Sequence, residues 1–128
     1  MKLYLSRLAL GVTLLWSTHG FAQQLHTLHI DDKGIVLKKH QEHHVKAGHK
    51  VTWMRHSGAA RAWYIKFDES PCSEGKEFGS DRAQTCTINV VCEQKGDPGC
   101  KSYAYNSATG ATAAMNDPHV VVDPRSTP

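Results

Sequence analysis

The segment from Val45 to Trp53, which reads VKAGHKVTW, decides the fold class of this chain. Its second half alternates apolar and polar residues, which places Val51 and Trp53 together on one face of a strand. Gly48 permits a tight turn just before that strand, because it has no Cβ to clash at a positive φ. The segment therefore predicts a turn followed by a half-buried strand that carries Trp53 into the core of a sheet.

The same two-residue alternation recurs along the chain between clusters of turn-forming residues. No segment repeats apolar residues at the three- and four-residue spacing of a helix, and β-branched and aromatic residues dominate the runs. Such a pattern is typical of a β-sandwich or Greek-key barrel. We expect about seven short strands, at Leu25–Ile30, Gly34–Lys38, Lys50–Arg55, Ala62–Phe67, Thr87–Cys92, Ser102–Tyr105 and His119–Val122.

The amino terminus has the order of features found in a secretory signal peptide. A positively charged start precedes the short apolar run Leu8 to Trp16, and small residues follow at Gly20 and Ala22. A membrane-spanning helix needs about 20 apolar residues, so this run is too short, and no later segment is apolar enough. We expect residues 1–22 to be removed and residues 23–128 to form one periplasmic or secreted domain with no transmembrane segment.

Composition and motifs exclude several classes of function. The 15 Lys and Arg residues nearly balance the 12 Asp and Glu residues, and no basic stripe is present, so we expect no nucleic-acid partner. The chain contains no nucleophile elbow, no phosphate-binding glycine loop and no H-E-x-x-H sequence. The acidic pairs lie in segments that resemble loops, and we do not expect an enzyme.

All four cysteines, Cys72, Cys86, Cys92 and Cys100, fall in the mature part of the chain. An even number of cysteines in an exported chain predicts disulfides. Three pairings are possible, and we favour Cys72 with Cys86 and Cys92 with Cys100, because each bond closes one local loop between neighbouring strands. A zinc site is the alternative, but the chain has no C-x-x-C sequence, and the cysteine spacing matches no usual zinc finger or ribbon.

Three patterns, in order along the chain, resemble the cupredoxins. The turn and strand VKAGHKVTW at 45–53 is similar to a cupredoxin segment that ends in V-x-W or V-x-F. The triplet Tyr103-Ala104-Tyr105 resembles the penultimate cupredoxin strand, and DPHVVV at 117–122 resembles the last strand of small exported members. The resemblance covers most of the mature chain and implies a cupredoxin-like Greek-key β-sandwich.

The resemblance does not extend to the copper ligands of that family. A type-1 centre requires two histidines, one cysteine thiolate and usually a methionine. Arg61-Ala62 stands at the first histidine position, and the stretch 106–110, where the cysteine and second histidine belong, contains neither. Met115 and His119 lie nearby but have no cysteine partner. We therefore expect the fold without a blue-copper centre.

Histidine is the remaining chemical feature, because the chain holds nine of them and the densest group is HQEHHVKAGH at 40–49. Neutral imidazole binds copper, zinc and nickel, so a cluster in an exported chain indicates a metal site. In a straight strand His40 and His44 would be about 13 Å apart, so a shared ion requires a turn near Gln41. The candidate ligands for copper or zinc are His40, His43, His44 and His49.

Two functional interpretations stay open on the sequence. The first is an exported, non-catalytic, cupredoxin-like binding module without a type-1 centre, in which the histidine cluster holds copper or zinc. The second is a metal-free module of the periplasm that binds an unidentified protein partner, with solvated surface histidines that share no function. Strand parity places Trp53 and Trp63 in the core and leaves Tyr64 at the surface.

Overall fold

The computed structural model describes residues 24–57 and 62–125, so the signal peptide predicted for residues 1–22 lies outside the described part. Within that part no helix is long and apolar enough to cross a membrane. The described residues form strands and one short 3₁₀ helix, Lys38–His40, which confirms an all-β chain. The strands are β1 (Leu25–Ile30), β2 (Glu42–Lys46), β3 (Lys50–Arg55), β4 (Tyr64–Phe67), β5 (Glu77–Gly79), β6 (Thr85–Thr87), β7 (Ser102–Ala108) and β8 (His119–Asp123).

The strands pair into two sheets, a three-stranded sheet in the order β1-β3-β6 and a five-stranded sheet in the order β2-β8-β7-β4-β5. β1 runs parallel to β3, and β2 runs parallel to β8, while the other pairs are antiparallel. Parallel neighbours cannot be joined by a hairpin, so the chain crosses from one sheet to the other between β1, β2 and β3. As a result β1 and β2 are edge strands of different sheets.

The core lies between the two sheets and is centred on Trp53. Four aromatic rings surround it, and the ring centroids lie 5.6 Å away for Tyr105, 5.9 Å for Trp63 and Phe78, and 6.2 Å for Phe67. The indole N–H of Trp53 donates to the Tyr105 hydroxyl at 3.3 Å, so burial leaves no unpaired donor on the indole. The predicted burial of Trp53 and Trp63 is confirmed.

The turn that precedes β3 has the geometry that its glycine predicts. Gly48 adopts a φ of 92°, which a residue with a Cβ rarely adopts, and its N–H donates to the Ile88 carbonyl at 2.9 Å. Beyond the turn, burial alternates residue by residue along β3, with Val51 and Trp53 inside. Gly48 therefore lets the chain leave β2 in one sheet and enter β3 in the other.

Two disulfides join Cys72 to Cys86 and Cys92 to Cys100, and no described cysteine is free. The favoured pairing is thus confirmed, and all four thiols of the chain are used, which leaves none for a zinc site. Disulfides of this kind are typical of proteins that fold in an oxidising, exported compartment.

Two strands were not predicted from the sequence, and both are edge strands. β2 pairs with β8 in register from Glu42 opposite His119 to Lys46 opposite Asp123, yet only Val45 in β2 is buried. β5 spans only three residues, Glu77–Gly79, and pairs with β4. A strand with one buried apolar residue shows no alternation, so its pairing partner defines it.

Other predicted boundaries were wrong where the chain turns. Gly34–Lys38 is not a strand, because only Val36 bridges Ile30 before the 3₁₀ helix begins. The strand expected at Thr87–Cys92 lies at Thr85–Thr87, and the chain then forms a bridge between Ile88 and Cys72.

Replacing Trp53 with alanine should lower the free energy of unfolding by about 3–5 kcal/mol, because the indole fills the centre of the aromatic core. Urea unfolding of the disulfide-intact protein, followed by far-ultraviolet circular dichroism, measures the change. The control is Met115→Ala, since Met115 is 95% exposed, and it should shift the unfolding free energy by less than about 0.5 kcal/mol. Equal losses in both variants would contradict the assigned core.

Candidate functional site

Two sheet edges lie side by side and bring histidines from different strands into contact. β1 is the edge of the three-stranded sheet and carries His26, whereas β2 is the edge of the five-stranded sheet and carries His43. The His26 Nδ1 and His43 Nε2 atoms are 2.8 Å apart, so the two imidazoles bridge the gap between the sheets. The contact depends on the packing of the sheets, since the two histidines are 17 positions apart in the chain.

Six imidazoles form a continuous series along this edge, which we call the histidine row. Each ring lies next to the following one, with centroid distances between 4.8 and 6.1 Å. The rings come from β1, β2, the 3₁₀ helix and the two ends of β3, so five backbone segments contribute. In spatial order the row consists of His49, His26, His43, His40, His29 and His56.

The turn that the sequence required near Gln41 is present. His40 ends the 3₁₀ helix, and Gln41 has helical dihedrals with φ of −71° and ψ of −24°. His40 is therefore not part of the extended strand that begins at Glu42, and its ring lies 6.1 Å from that of His43. The His29 backbone N–H donates to His40 Nδ1 at 2.9 Å, so Nε2 carries the proton of the neutral His40 ring.

Three pairs of ring nitrogens in the row lie within hydrogen-bond distance of each other. The distances are 2.8 Å for His26 with His43, 3.0 Å for His26 Nε2 with His49 Nδ1, and 3.2 Å for His29 Nδ1 with His56 Nδ1. These distances suit N–H···N hydrogen bonds between neutral rings. Two nitrogens bound to one zinc or copper ion lie about 2.9–3.4 Å apart at angles between square and tetrahedral, a range that includes the second and third pairs and begins just above the first. An ion therefore requires only a small rotation of the two rings, so that both lone pairs point at it.

The local environment favours the neutral form of five of the six rings. Partial burial is the main cause that lowers their pKa values, and neighbouring imidazoles, lysines or, for His49, Arg125 lower them further. A neutral imidazole keeps the lone pair that a metal ion requires. Lowered pKa values apply to five members of the row, His26, His29, His40, His43 and His49.

His44, the fourth ligand predicted from the sequence, lies outside the row. Side chains alternate along β2, so His43 faces the row while His44 is exposed on the opposite side. His44 Nδ1 lies 2.9 Å from Asp123 Oδ2, and Nε2 lies 3.2 Å from Glu42 Oε2. Desolvation acts to lower the His44 pKa, but hydrogen bonds to these two carboxylates outweigh it and raise the pKa.

The structure places three of the four candidate ligands, His40, His43 and His49, in the row, and it adds members that the sequence did not assign to the site. His26 and His29 have opposite strand parity, which predicted that a straight strand would separate them. They do not touch each other, but His43 and His40 connect them through the row. His56 also belongs to the row, because β1 and β3 run parallel and the residue after β3 therefore lies beside the end of β1. The sequence alone does not reveal this pairing.

The stretch 106–110, where a type-1 copper centre would require a cysteine and a histidine, contributes to the packing of the fold instead. Ser107 is fully buried, and its hydroxyl donates to the Gly34 carbonyl and also contacts the Asn116 side chain. Met115 is almost completely exposed, and His119 lies in β8 with its ring 3.4 Å from Asp117. With every cysteine in a disulfide, no thiolate is present to bind copper there.

As the rings stand, no three His, Cys, Asp or Glu side chains of the described residues form a group that could hold a metal ion. The row offers pairs of nitrogens, and a third ligand requires the rotation of an adjacent ring. Comparisons with protein-family models, with curated proteins and with solved structures found no match for this chain.

The lowered histidine pKa values predict that acid destabilises the fold. The unfolded histidines titrate near 6.5, whereas the folded ones titrate below it, so the unfolded chain binds more protons as the pH falls. The free energy of unfolding should therefore be constant above about pH 7 and should fall between about pH 6.5 and 5. Urea titrations across this range, without metal, measure the slope.

A double variant, His26→Gln with His43→Gln, should show a shallower decline in stability than the wild-type protein over the same pH range. His44→Gln should show a steeper one, because the raised pKa of His44 contributes stability that is retained at acid pH. A wild-type stability that rises toward pH 5 would contradict the assigned direction of the shifts.

Proposed function

We propose that this chain is an exported, non-catalytic, cupredoxin-like domain that binds a copper or zinc ion through the histidine row. The observation that carries the proposal is the position of His26, whose two ring nitrogens lie 2.8 Å from His43 and 3.0 Å from His49. An ion bound beside one of these contacts, after the shared proton leaves and the rings rotate slightly, gains two imidazole ligands at once. The imidazole of the other contact lies at the opposite nitrogen of His26.

The row is held by backbone, which favours a binding site over a chance cluster of surface histidines. His26 lies in β1, His43 lies in β2, and His49 lies in the turn before β3. His49 Nδ1 is also within 3.3 Å of the Lys46 backbone N–H, which orients its ring. Ligands that are placed by three separate segments lose little conformational freedom when an ion binds, and this strengthens binding.

The chemistry of the row suits borderline transition metals. Neutral imidazole nitrogen binds zinc, copper and nickel, whereas calcium and magnesium prefer oxygen ligands. The lowered pKa values leave the lone pairs of His26, His43 and His49 available at neutral pH.

The exported and cupredoxin-like parts of the proposal have separate support. Both disulfides suit an oxidising compartment such as the periplasm, and the predicted signal peptide would deliver the chain there. The cupredoxin-like part is supported by the burial of residues that carried the family resemblance. Val51, Trp53, Tyr103 and Tyr105 are all buried in the core between the sheets.

Titration calorimetry of the disulfide-intact protein with Zn(II) and with Cu(II) tests the proposal. We expect submicromolar binding by the wild-type protein. The triple variant His26→Ala, His43→Ala and His49→Ala should bind at least about 100-fold more weakly, because it lacks the nitrogen pairs that bind the ion.

The matched control is His44→Ala with His119→Ala, which removes two imidazoles outside the row and should leave affinity unchanged. Circular dichroism confirms that each variant keeps its fold. The absence of binding to the wild-type protein at millimolar metal would contradict the proposal and favour the metal-free protein-interaction module.

A further inference from the structure

We infer that the end of the histidine row formed by His29 and His56 is a monovalent-copper site that also uses the thioether of Met54. The inference rests on the proposed function, because it assigns one ion in one oxidation state to part of the same row. The site would select copper over zinc, whereas the other end of the row provides imidazoles from His26, His43 and His49.

The register of the three-stranded sheet places Met54 beside His29. β1 and β3 are parallel, and His29 is the direct partner of Met54 in that pairing. Paired residues on adjacent strands point to the same face of a sheet, with backbones about 4.8 Å apart. The flanking residues Leu28 and Trp53 are buried, so His29 and Met54 both lie on the outer face.

His56 extends the same face beyond the end of β3. Its backbone N–H donates to the Ile30 carbonyl at 2.8 Å, so the pairing between the two chain segments continues past Arg55. His56 follows Met54 by two residues, which returns its side chain to the face of Met54. The 3.2 Å distance between His29 Nδ1 and His56 Nδ1 shows that the two rings meet there.

His40 packs against this end of the row without serving as a ligand. Its ring centroid lies 5.5 Å from that of His29, and its Nδ1 accepts the His29 backbone N–H. The proton of the neutral His40 ring is therefore on Nε2, so His40 positions His29 and does not bind the ion. Two imidazoles and one thioether, from β1, β3 and the residue after β3, would form a three-ligand set.

The ligand set and the surrounding charge both favour Cu(I). A thioether is a soft ligand that selects monovalent copper, and it is not among the usual ligands of zinc. Lys39 lies close enough to His29 and His40 to act electrostatically on both. A monovalent ion meets less repulsion from this ammonium than a divalent ion does.

The test uses competition with bicinchoninate for Cu(I), under nitrogen and with ascorbate, on the disulfide-intact wild-type protein. Met54→Leu conserves volume and removes only the sulfur, so it should keep the fold. We expect it to lower the Cu(I) affinity by at least about tenfold, since even residues that merely orient a metal ligand have effects of that size. Its Zn(II) affinity should match that of the wild-type protein.

Met115→Leu is the matched control, because Met115 is 95% exposed and lies in the loop before β8, and it should change neither affinity. X-ray absorption of the Cu(I) protein should show a sulfur neighbour that disappears in Met54→Leu and remains in Met115→Leu. Both methionine variants are compared with the wild-type protein by near-ultraviolet circular dichroism before any metal is added.

An unchanged Cu(I) affinity in Met54→Leu, or an equal loss of both metals, would overturn the inference. Zn(II) binding without Cu(I) binding by the wild-type protein would also overturn it, while leaving the proposed function in place. A wild-type protein that binds Zn(II), Cu(II) and Cu(I) no better than buffer would overturn both proposals.

Discussion

Trp53 packs between the two sheets, and this contact sets their relative position. Its indole touches rings that come from the opposite sheet, namely Phe67 of β4, Phe78 of β5 and Tyr105 of β7. Burial of large aromatic side chains is the dominant favourable contribution in a domain of this size. Because Trp53 belongs to the three-stranded sheet and those rings to the five-stranded one, their packing holds β3 against β4, β5 and β7.

The histidine row is a consequence of that packing. Once the sheets are held face to face, their edge strands β1 and β2 lie side by side, and His26 reaches His43 across the gap. Imidazoles suit such a position, since a half-buried edge requires polar groups that can satisfy one another. The N···N contacts between 2.8 and 3.2 Å do so, and a small rotation of the rings would turn two of the nitrogens toward one ion.

Alternation along β2 divides its histidines into two chemical environments. His43 faces the row, where partial burial and neighbouring imidazoles lower its pKa and keep it neutral. His44, the next residue, faces solvent and two carboxylates, which raise its pKa against the effect of desolvation. Adjacent residues of one type thus differ in the property that decides whether a metal can bind.

The sequence alone determined those features that depend on neighbours in the chain. Alternation over Lys50–Arg55 predicted β3 with its observed bounds and the burial of Trp53, and short loops favoured the disulfide pairing that is observed. The tertiary structure decided the membership of the histidine row, for which the sequence had suggested His44 and had omitted His26, His29 and His56. Its contacts join residues as far apart as His29 and His56, 27 positions along the chain, and depend on which strands become neighbours. Local periodicity reports which face a side chain occupies, but only the pairing and packing of sheets determine what lies opposite that face.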